Sequence, residues 1–160
     1  MNKYLEIIKN LISYKTEEEW FEFKENWYEA HGIGEYISAL SNAAAICRRE
    51  YAYLVWGINN EIHEVLGTKF NYRADVKGEP LEHYLARQLK PDIVFSFHEV
   101  DFDNKRVVLL EIPVAKNIPT SFDGIRYIRI GSSKVNVAKY PDREVSLFEV
   151  LSNKEKTKPG

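Results

Sequence analysis

Apolar residues recur at helical spacing in the first 14 positions. Leu5, Ile8, Leu11 and Ile12 fall on one stripe and polar residues fill the other side, so the pattern predicts a short amphipathic helix. From position 35 to 50 the same spacing returns in a stretch rich in small residues, which predicts a second helix able to lie close against a sheet.

Strict alternation marks a strand over positions 20–24. Trp20, Glu22 and Lys24 would share one face, and Phe21 and Phe23 the other. The following polar stretch, 25–33, is expected to be a loop.

The rest of the chain continues with short apolar runs separated by turn residues. They predict a strand at 51–58, a tight turn at Asn59-Asn60 with a return strand at 64–67, and a loop at 71–79. They further predict a helix at 81–90 ended by Pro91, paired strands at 92–102 and 105–115, a strand at 127–130, and a helix at 144–152. Because strand 107–114 is nearly all apolar, it is expected to be central.

This order of elements is neither a regular strand–helix alternation nor all strand. It predicts an α+β fold, with a mixed and mostly antiparallel sheet and flanking helices. The expected domain spans residues 1–152, and residues 153–160 have the composition of a linker-like tail.

Composition narrows the class of protein. With 160 residues, 44% of them hydrophobic, the chain can bury a core without disulfides, and its one cysteine excludes an internal disulfide or a multi-cysteine zinc site. A net charge of −2 argues against a polycation that coats nucleic acid by charge alone. No apolar run is long enough for a membrane helix, so we expect a cytoplasmic protein with no membrane partner.

Acidic residues gather at the first strand, where Glu17, Glu18 and Glu19 precede Glu22. Carboxylates at a strand end can hold a hard divalent cation, and the adjacent Lys24 could neutralise charge that develops on a phosphate. The alternative is a solvated acidic run, with Glu22 paired to Lys24 on an exposed face.

A polar group occupies the predicted hairpin after the second strand, where Asn59, Asn60, Glu61, His63 and Glu64 lie together. A metal or a phosphate could bind there, although a two-asparagine turn explains the asparagines without any function.

Basic residues gather near the last strand: Arg126 and Arg129 flank Tyr127, and Lys134 lies beyond a Gly-Ser-Ser turn. The turn offers N–H groups and hydroxyls to a phosphate, and Tyr127 could stack on a base. The alternative is an edge strand that is protected by charge.

Several segments together are similar to a known family. They are Glu17-x4-Glu22-Phe23-Lys24, Tyr36–Asn42, Tyr53–Ile58, His63–Thr68, Leu109–Pro113 and Tyr127–Ser132, in that order. The series resembles the Schlafen-type AlbA domain, also called the divergent AAA domain, over about residues 10–150.

The resemblance implies an α+β fold and nucleic-acid binding, as in bacterial members that precede a winged helix in transcriptional regulators. Animal Schlafen proteins use a related core as a metal-dependent endoribonuclease on transfer RNA. Two of their three acidic residues match Glu17 and Glu22, and the third falls at Asn59 or Asn60. Asparagine supplies a neutral ligand, so Mg²⁺ or Mn²⁺ would be held more weakly unless Glu61 or Glu64 substitutes.

Three functions follow as hypotheses. The first is a module that binds DNA or RNA through Lys24, Arg126, Tyr127, Arg129 and Lys134, at the N-terminus of a bacterial regulator or defence protein whose C-terminal domain is missing here. The second is a metal-dependent endoribonuclease with Glu17 and Glu22 as metal ligands and Asn60 as the third site residue. The third is a homodimeric assembly module with an aromatic, nearly neutral surface.

Overall fold

The structure is a computed structural model that describes residues 2–152. In chain order its elements are α1 (Lys3–Ile12), β1 (Phe21–Lys24), α2 (Ala30–Ile46), β2 (Tyr51–Trp56), β3 (Asp75–Val76), β4 (Glu79–Pro80), α3 (Leu81–Ala86), β5 (Leu89–Lys90), β6 (Ser96–Phe102), β7 (Lys105–Pro113), β8 (Ser121–Phe122), β9 (Ile125–Ile130), β10 (Ser133–Asn136), a 3-10 turn (Val137–Lys139) and α4 (Pro141–Ser152). The predicted α+β class is confirmed. The linker-like tail predicted for 153–160 lies outside the described residues.

The first sheet has the strand order β1-β2-β7-β6. β1 runs parallel to β2 and the other pairs are antiparallel, so the sheet is mixed as predicted. β7 is an inner strand, and its residues from Val107 to Ile112 are buried, which confirms its predicted central place. The β6–β7 turn uses Asp103 and Asn104, both with positive φ, as a two-residue hairpin turn requires.

The second sheet has the order β10-β9-β8-β5 and is antiparallel. α2 packs between the two sheets, against β2 and β7 on one side and β8, β9 and β10 on the other. It is therefore buried around most of its circumference, which explains why its sequence is dominated by small and apolar residues. The division of the strands between two sheets was not predicted.

Polar side chains of α2 bind the second sheet and the segment that leads into it. The Asn42 amide donates to the carbonyl oxygens of Thr120 and Tyr127 at 2.9 and 2.8 Å, and its Oδ1 accepts from the Thr120 N–H at 2.8 Å. Ser38 Oγ donates to the Thr120 carbonyl at 2.7 Å and accepts from the Tyr127 N–H at 3.0 Å. These buried bonds fix the position of β9 along α2.

α1 is confirmed by the structure, and it begins at an Asn2 cap whose Oδ1 accepts the N–H groups of Tyr4 and Leu5. The loop predicted for 25–33 is wrong in its last part, because α2 begins at Ala30 with Glu29 as its cap. Gly32 and Gly34 disfavour a helix locally, but a Cβ at Gly34 would collide with the Phe122 ring. Packing against β8 therefore favours glycine in the first turns of this helix.

The predicted reversal after β2 is confirmed, but the two-residue turn and the return strand 64–67 are wrong. An isolated antiparallel bridge between Ile58 and Val65 takes the place of the strand pair. Asn59 Oδ1 accepts the N–H groups of Glu61 and Ile62, both at 2.8 Å, so the side chain closes the loop, and the positive φ falls at His63. This side-chain turn competes with strand pairing.

The predicted helix 81–90 ends early, at Ala86. Leu89 and Lys90 instead form β5, which pairs with β8 of the second sheet. The last helix, α4, begins at Pro141, three residues before the predicted start.

Candidate functional site

Glu17 lies along the open edge of β1. Its Oε2 accepts the Phe23 N–H at 2.8 Å, a group that points away from β2 and would otherwise lack a partner. Burial, together with the neighbouring Glu22 carboxylate, raises the pKa of Glu17 to about 7, against the lowering effect of the Phe23 N–H and Arg129. Glu17 therefore covers the open strand edge. Its carboxyl group is partly protonated near neutral pH.

Glu22 forms a buried ion pair with Arg129. Arg129 Nη2 donates to Glu22 Oε1 at 2.7 Å, and the two side chains are 1% and 4% exposed. Glu22 belongs to β1 of the first sheet and Arg129 to β9 of the second. The pair therefore joins the two sheets at the edge of the core.

Three cationic groups gather around the ring of Tyr36 on α2. The distances to the ring centroid are 5.1 Å from Lys24 Nζ, 5.2 Å from Lys134 Nζ and 5.8 Å from Arg129 Cζ. We call Lys24, Arg129, Lys134 and Tyr36 the Tyr36 cluster. Aromatic faces attract cations at these distances, so the ring helps to hold like charges close together.

Strand register explains why these residues meet. Lys134 of β10 stands directly opposite Arg129 of β9, so both side chains leave the same face of the second sheet. Lys24 lies two residues after Glu22 on β1, and alternation sends both toward α2.

Glu35 completes the polar surroundings of the cluster. It accepts from Lys134 Nζ at 2.6 Å and from the Tyr127 hydroxyl at 3.0 Å, and His31 Nε2 lies 3.8 Å away. Partial burial alone would raise the pKa of Glu35, but Lys134 outweighs that effect and lowers the pKa. Burial, together with the Glu35 carboxylate, raises the pKa of Tyr127 to about 12, so its hydroxyl stays a donor.

The structure brings some of the predicted site residues together and separates others. Lys24, Arg129 and Lys134 converge, whereas alternation sends Arg126 to the other face of β9, where it lies over Phe148 and 3.8 Å from Glu144. Tyr127 is buried, with its hydroxyl on Glu35, so its ring presents no open face for a base. Arg129 is likewise an interior residue and not part of an exposed surface.

Glu17 and Glu22 lie close enough for the Glu22 carboxylate to raise the pKa of Glu17. Asn60 is exposed in the loop after β2, and within residues 2–152 its side chain makes no hydrogen bond to either glutamate. Among these residues no three histidine, cysteine or acidic side chains converge, so neither Glu61 nor Glu64 completes a set.

The resemblance implies a divalent cation at Glu17 and Glu22, but the surroundings of these carboxylates oppose one. Glu22 faces the guanidinium of Arg129 and, at 3.9 Å, the ammonium of Lys24, while one oxygen of Glu17 accepts a backbone N–H. Hard cations are held by several oxygen ligands, and two cationic neighbours oppose another positive charge. In this arrangement the two carboxylates do not fit Mg²⁺ or Mn²⁺.

Sequence reasoning missed Tyr36 and Glu35 as site residues. Both lie on a helix whose composition indicates packing, and most of their partners come from strands about 90 or more positions later, as in the Tyr127–Glu35 and Lys134–Glu35 bonds. Lys24 of β1 is the exception. The local signal is weak, because His31, Ser38, Ser41 and Asn42 also interrupt the apolar pattern of α2.

None of the helices within residues 2–152 is both long and apolar enough to cross a bilayer. A comparison with curated proteins finds no match.

Two solved structures share the fold. A protein of Corynebacterium diphtheriae matches with a TM-score of 0.53 and 13% identity, over 81% of this chain and 25% of its own. The N-terminal domain of a protein from Nitrosomonas europaea, named as related to the ATP-dependent DNA helicase RecG, matches with a TM-score of 0.50 and 18% identity, over 83% and 92% of the two chains. The present chain thus spans a quarter of the Corynebacterium protein.

The sequence also matches the family described as Schlafen, AlbA_2 over residues 17–138, which includes every member of the Tyr36 cluster. That match covers most of the chain and agrees with the two-sheet α+β fold. The chain therefore belongs to the Schlafen AlbA_2 family.

Proposed function

We propose that this domain binds nucleic acid, DNA or RNA, through the cationic face centred on the Tyr36 cluster. The observation that carries the proposal is the gathering of Lys24, Arg129 and Lys134 within 6 Å of one aromatic ring centroid. Membership of the Schlafen AlbA_2 family supports it, as does the helicase-related name of the Nitrosomonas protein.

The two lysines are the groups that can reach a ligand first. Lys24 and Lys134 are 23% and 24% exposed, and Lys24 donates no hydrogen bond within residues 2–152. Phosphate contacts from such side chains position a strand without reading its sequence. The overall charge of −2 does not oppose this binding, because the attraction depends on the local arrangement of charge.

Arg126 is not part of this face. Alternation sends it to the other side of β9, where it lies 3.8 Å from Glu144.

The test is the binding of fluorescent DNA and RNA oligonucleotides, measured by anisotropy at several salt concentrations. We expect affinity to fall steeply with salt. Lys24→Gln and Lys134→Gln should each weaken binding and reduce the slope of log binding constant against log salt concentration by about 1. Lys105→Gln is the matched control, because Lys105 begins β7 at the β6–β7 turn and β2 separates β7 from β1. Failure to bind, or binding independent of salt, would refute the proposal.

In this proposal the domain is the nucleic-acid-binding module of larger regulatory or defence proteins. The support is the share of the Corynebacterium chain that it matches, 25%, and the N-terminal place of the matching domain in the Nitrosomonas protein. Light scattering on the same samples would report homodimers.

The alternative function is metal-dependent cleavage of RNA such as transfer RNA, with Glu17 and Glu22 as the acidic residues. The ion pair of Glu22 with Arg129 opposes it. Transfer RNA incubated with Mn²⁺ should therefore stay intact with the wild type and with Glu22→Gln alike. Cleavage by the wild type that Glu22→Gln abolishes would establish this alternative instead.

A further inference from the structure

Arg129 carries hydrogen-bonding capacity that the protein does not use. Nη2 donates to Glu22, but Nε and Nη1 are buried and have no acceptor within the described residues. The side chain is 1% exposed, so bulk water does not satisfy these N–H groups. Unpaired charged donors are costly in a protein interior, and they favour an acceptor that can reach them.

The surroundings of Arg129 favour an anionic acceptor over a neutral one. Lys134 stands beside Arg129 in the β9–β10 register, and Lys24 of β1 lies 5.1 Å from the centroid of the Tyr36 ring. Glu22 and Glu35 neutralise two of the three positive charges. When Glu17 is protonated and therefore neutral, the group keeps one net positive charge. Arginine and lysine donors at one point are the usual partners of phosphate oxygens.

We propose that the Tyr36 cluster holds the terminal phosphate of a nucleic-acid strand, with Arg129 Nε and Nη1 as the deepest donors. Lys24 and Lys134 would donate from the two sides. This inference rests on the proposed function and names the group that the domain recognises.

Access decides between a terminal and an internal phosphate. An internal phosphodiester carries a sugar on each of two ester oxygens, so two chains of nucleotides would have to enter beside a buried arginine. A terminal monoester has one ester link and three free oxygens, so it would need the smaller opening between Lys24 and Lys134 to meet Arg129, with its strand leaving past the lysines. It also carries about −1.5 to −2 charge at neutral pH, against −1 for a diester.

The experiment compares one oligonucleotide with three ends: a 5′-phosphate, a 3′-phosphate, and hydroxyl groups at both ends. We expect one phosphorylated form to bind at least about tenfold more tightly than the hydroxyl form. Lys24→Met and Lys134→Met should each abolish most of that preference. Arg126→Met is the matched control and should keep the preference, because alternation places Arg126 on the opposite face of β9.

A second measurement avoids variants that could disturb folding. The wild-type Arg129 Nε–H signal in a ¹H–¹⁵N spectrum, assigned with Arg129→Lys, should shift when inorganic phosphate is added, and the Arg126 signal should shift less. An unmoved Arg129 signal would refute the phosphate site.

The outcomes separate the two proposals. Equal binding of all three oligonucleotides refutes the terminal-phosphate inference and leaves nucleic-acid binding intact. If no oligonucleotide binds but the Arg129 signal still shifts in phosphate, the proposed function is refuted. The Tyr36 cluster would then bind a phosphate group that does not belong to a nucleic acid.

Discussion

Replacing Arg129 with methionine tests the buried ion pair that joins the two sheets. Methionine keeps an unbranched side chain of similar reach and removes the guanidinium, so Glu22, whose side chain is 4% exposed, keeps only Lys24, at 3.9 Å, as a cationic neighbour. Breaking a buried pair from one side costs about 3–5 kcal/mol, because the remaining charge loses its buried partner. Domains of ordinary stability have about 5–15 kcal/mol in total, so this loss is a large fraction.

The assay is equilibrium unfolding in urea followed by tryptophan fluorescence. With a urea slope of about 2 kcal/mol/M, the midpoint of Arg129→Met should fall by roughly 1.5–2.5 M. Glu22→Gln should also be destabilising, and the double variant should lose less than the two single variants together, because it leaves no unpaired charge.

Arg126→Met is the control, since Arg126 is on the same strand but 42% exposed and paired at 3.8 Å. Its midpoint should stay near that of the wild type. A loss below about 1 kcal/mol for Arg129→Met, or strictly additive effects of the Glu22 and Arg129 substitutions, would refute the view that this pair stabilises the association of the sheets.

Three further predictions follow from single residues. Glu17, with its pKa raised to about 7, keeps its proton in the folded state at pH values where the unfolded chain has lost it. Its contribution to the free energy of unfolding is therefore full below about pH 4.5 and is lost as the pH rises to 7. Glu17→Gln should flatten this fall in the free energy of unfolding, measured across that pH range. Gly34→Ala should cost about 1–3 kcal/mol, because the new methyl group meets the Phe122 ring, and the thermal midpoint should partly recover when Phe122→Leu is added; full stability of Gly34→Ala would contradict the close packing of α2 on β8. Asn42→Ala should cost about 2–4 kcal/mol and speed hydrogen exchange at the Thr120 amide, whose acceptor it removes; unchanged exchange there would mean that the amide is held by other contacts.

Local sequence patterns were sufficient for the elements whose pattern of buried and exposed residues stays regular along their whole length. α1 follows from its apolar stripe, and β7 from its continuous apolar run. The β6–β7 hairpin follows from Asp103-Asn104, since these residues tolerate positive φ. Each of these signals lies within one segment and its immediate neighbours.

Patterns failed where a distant segment set the local structure. The start of α2 depends on how Phe122 packs over Gly34, and β5 exists because β8 offers it a partner. These partners cannot be found by periodicity, because each contact depends on the tertiary arrangement. The loop at Asn59 failed for a local reason, since its side chain bonds the N–H groups of Glu61 and Ile62 where a strand pair was expected.

The sequence by itself determined the α+β class, the central strand and the list of charged residues at the first and last strands. Only the tertiary structure decided which of those charges meet. Glu22 and Arg129 are 107 positions apart, yet they form a buried pair, while Arg126, three positions before Arg129, lies on the other face of the same strand. The physical reason is that alternation assigns each side chain to a face, whereas the packing of two sheets on α2 determines what that face contacts.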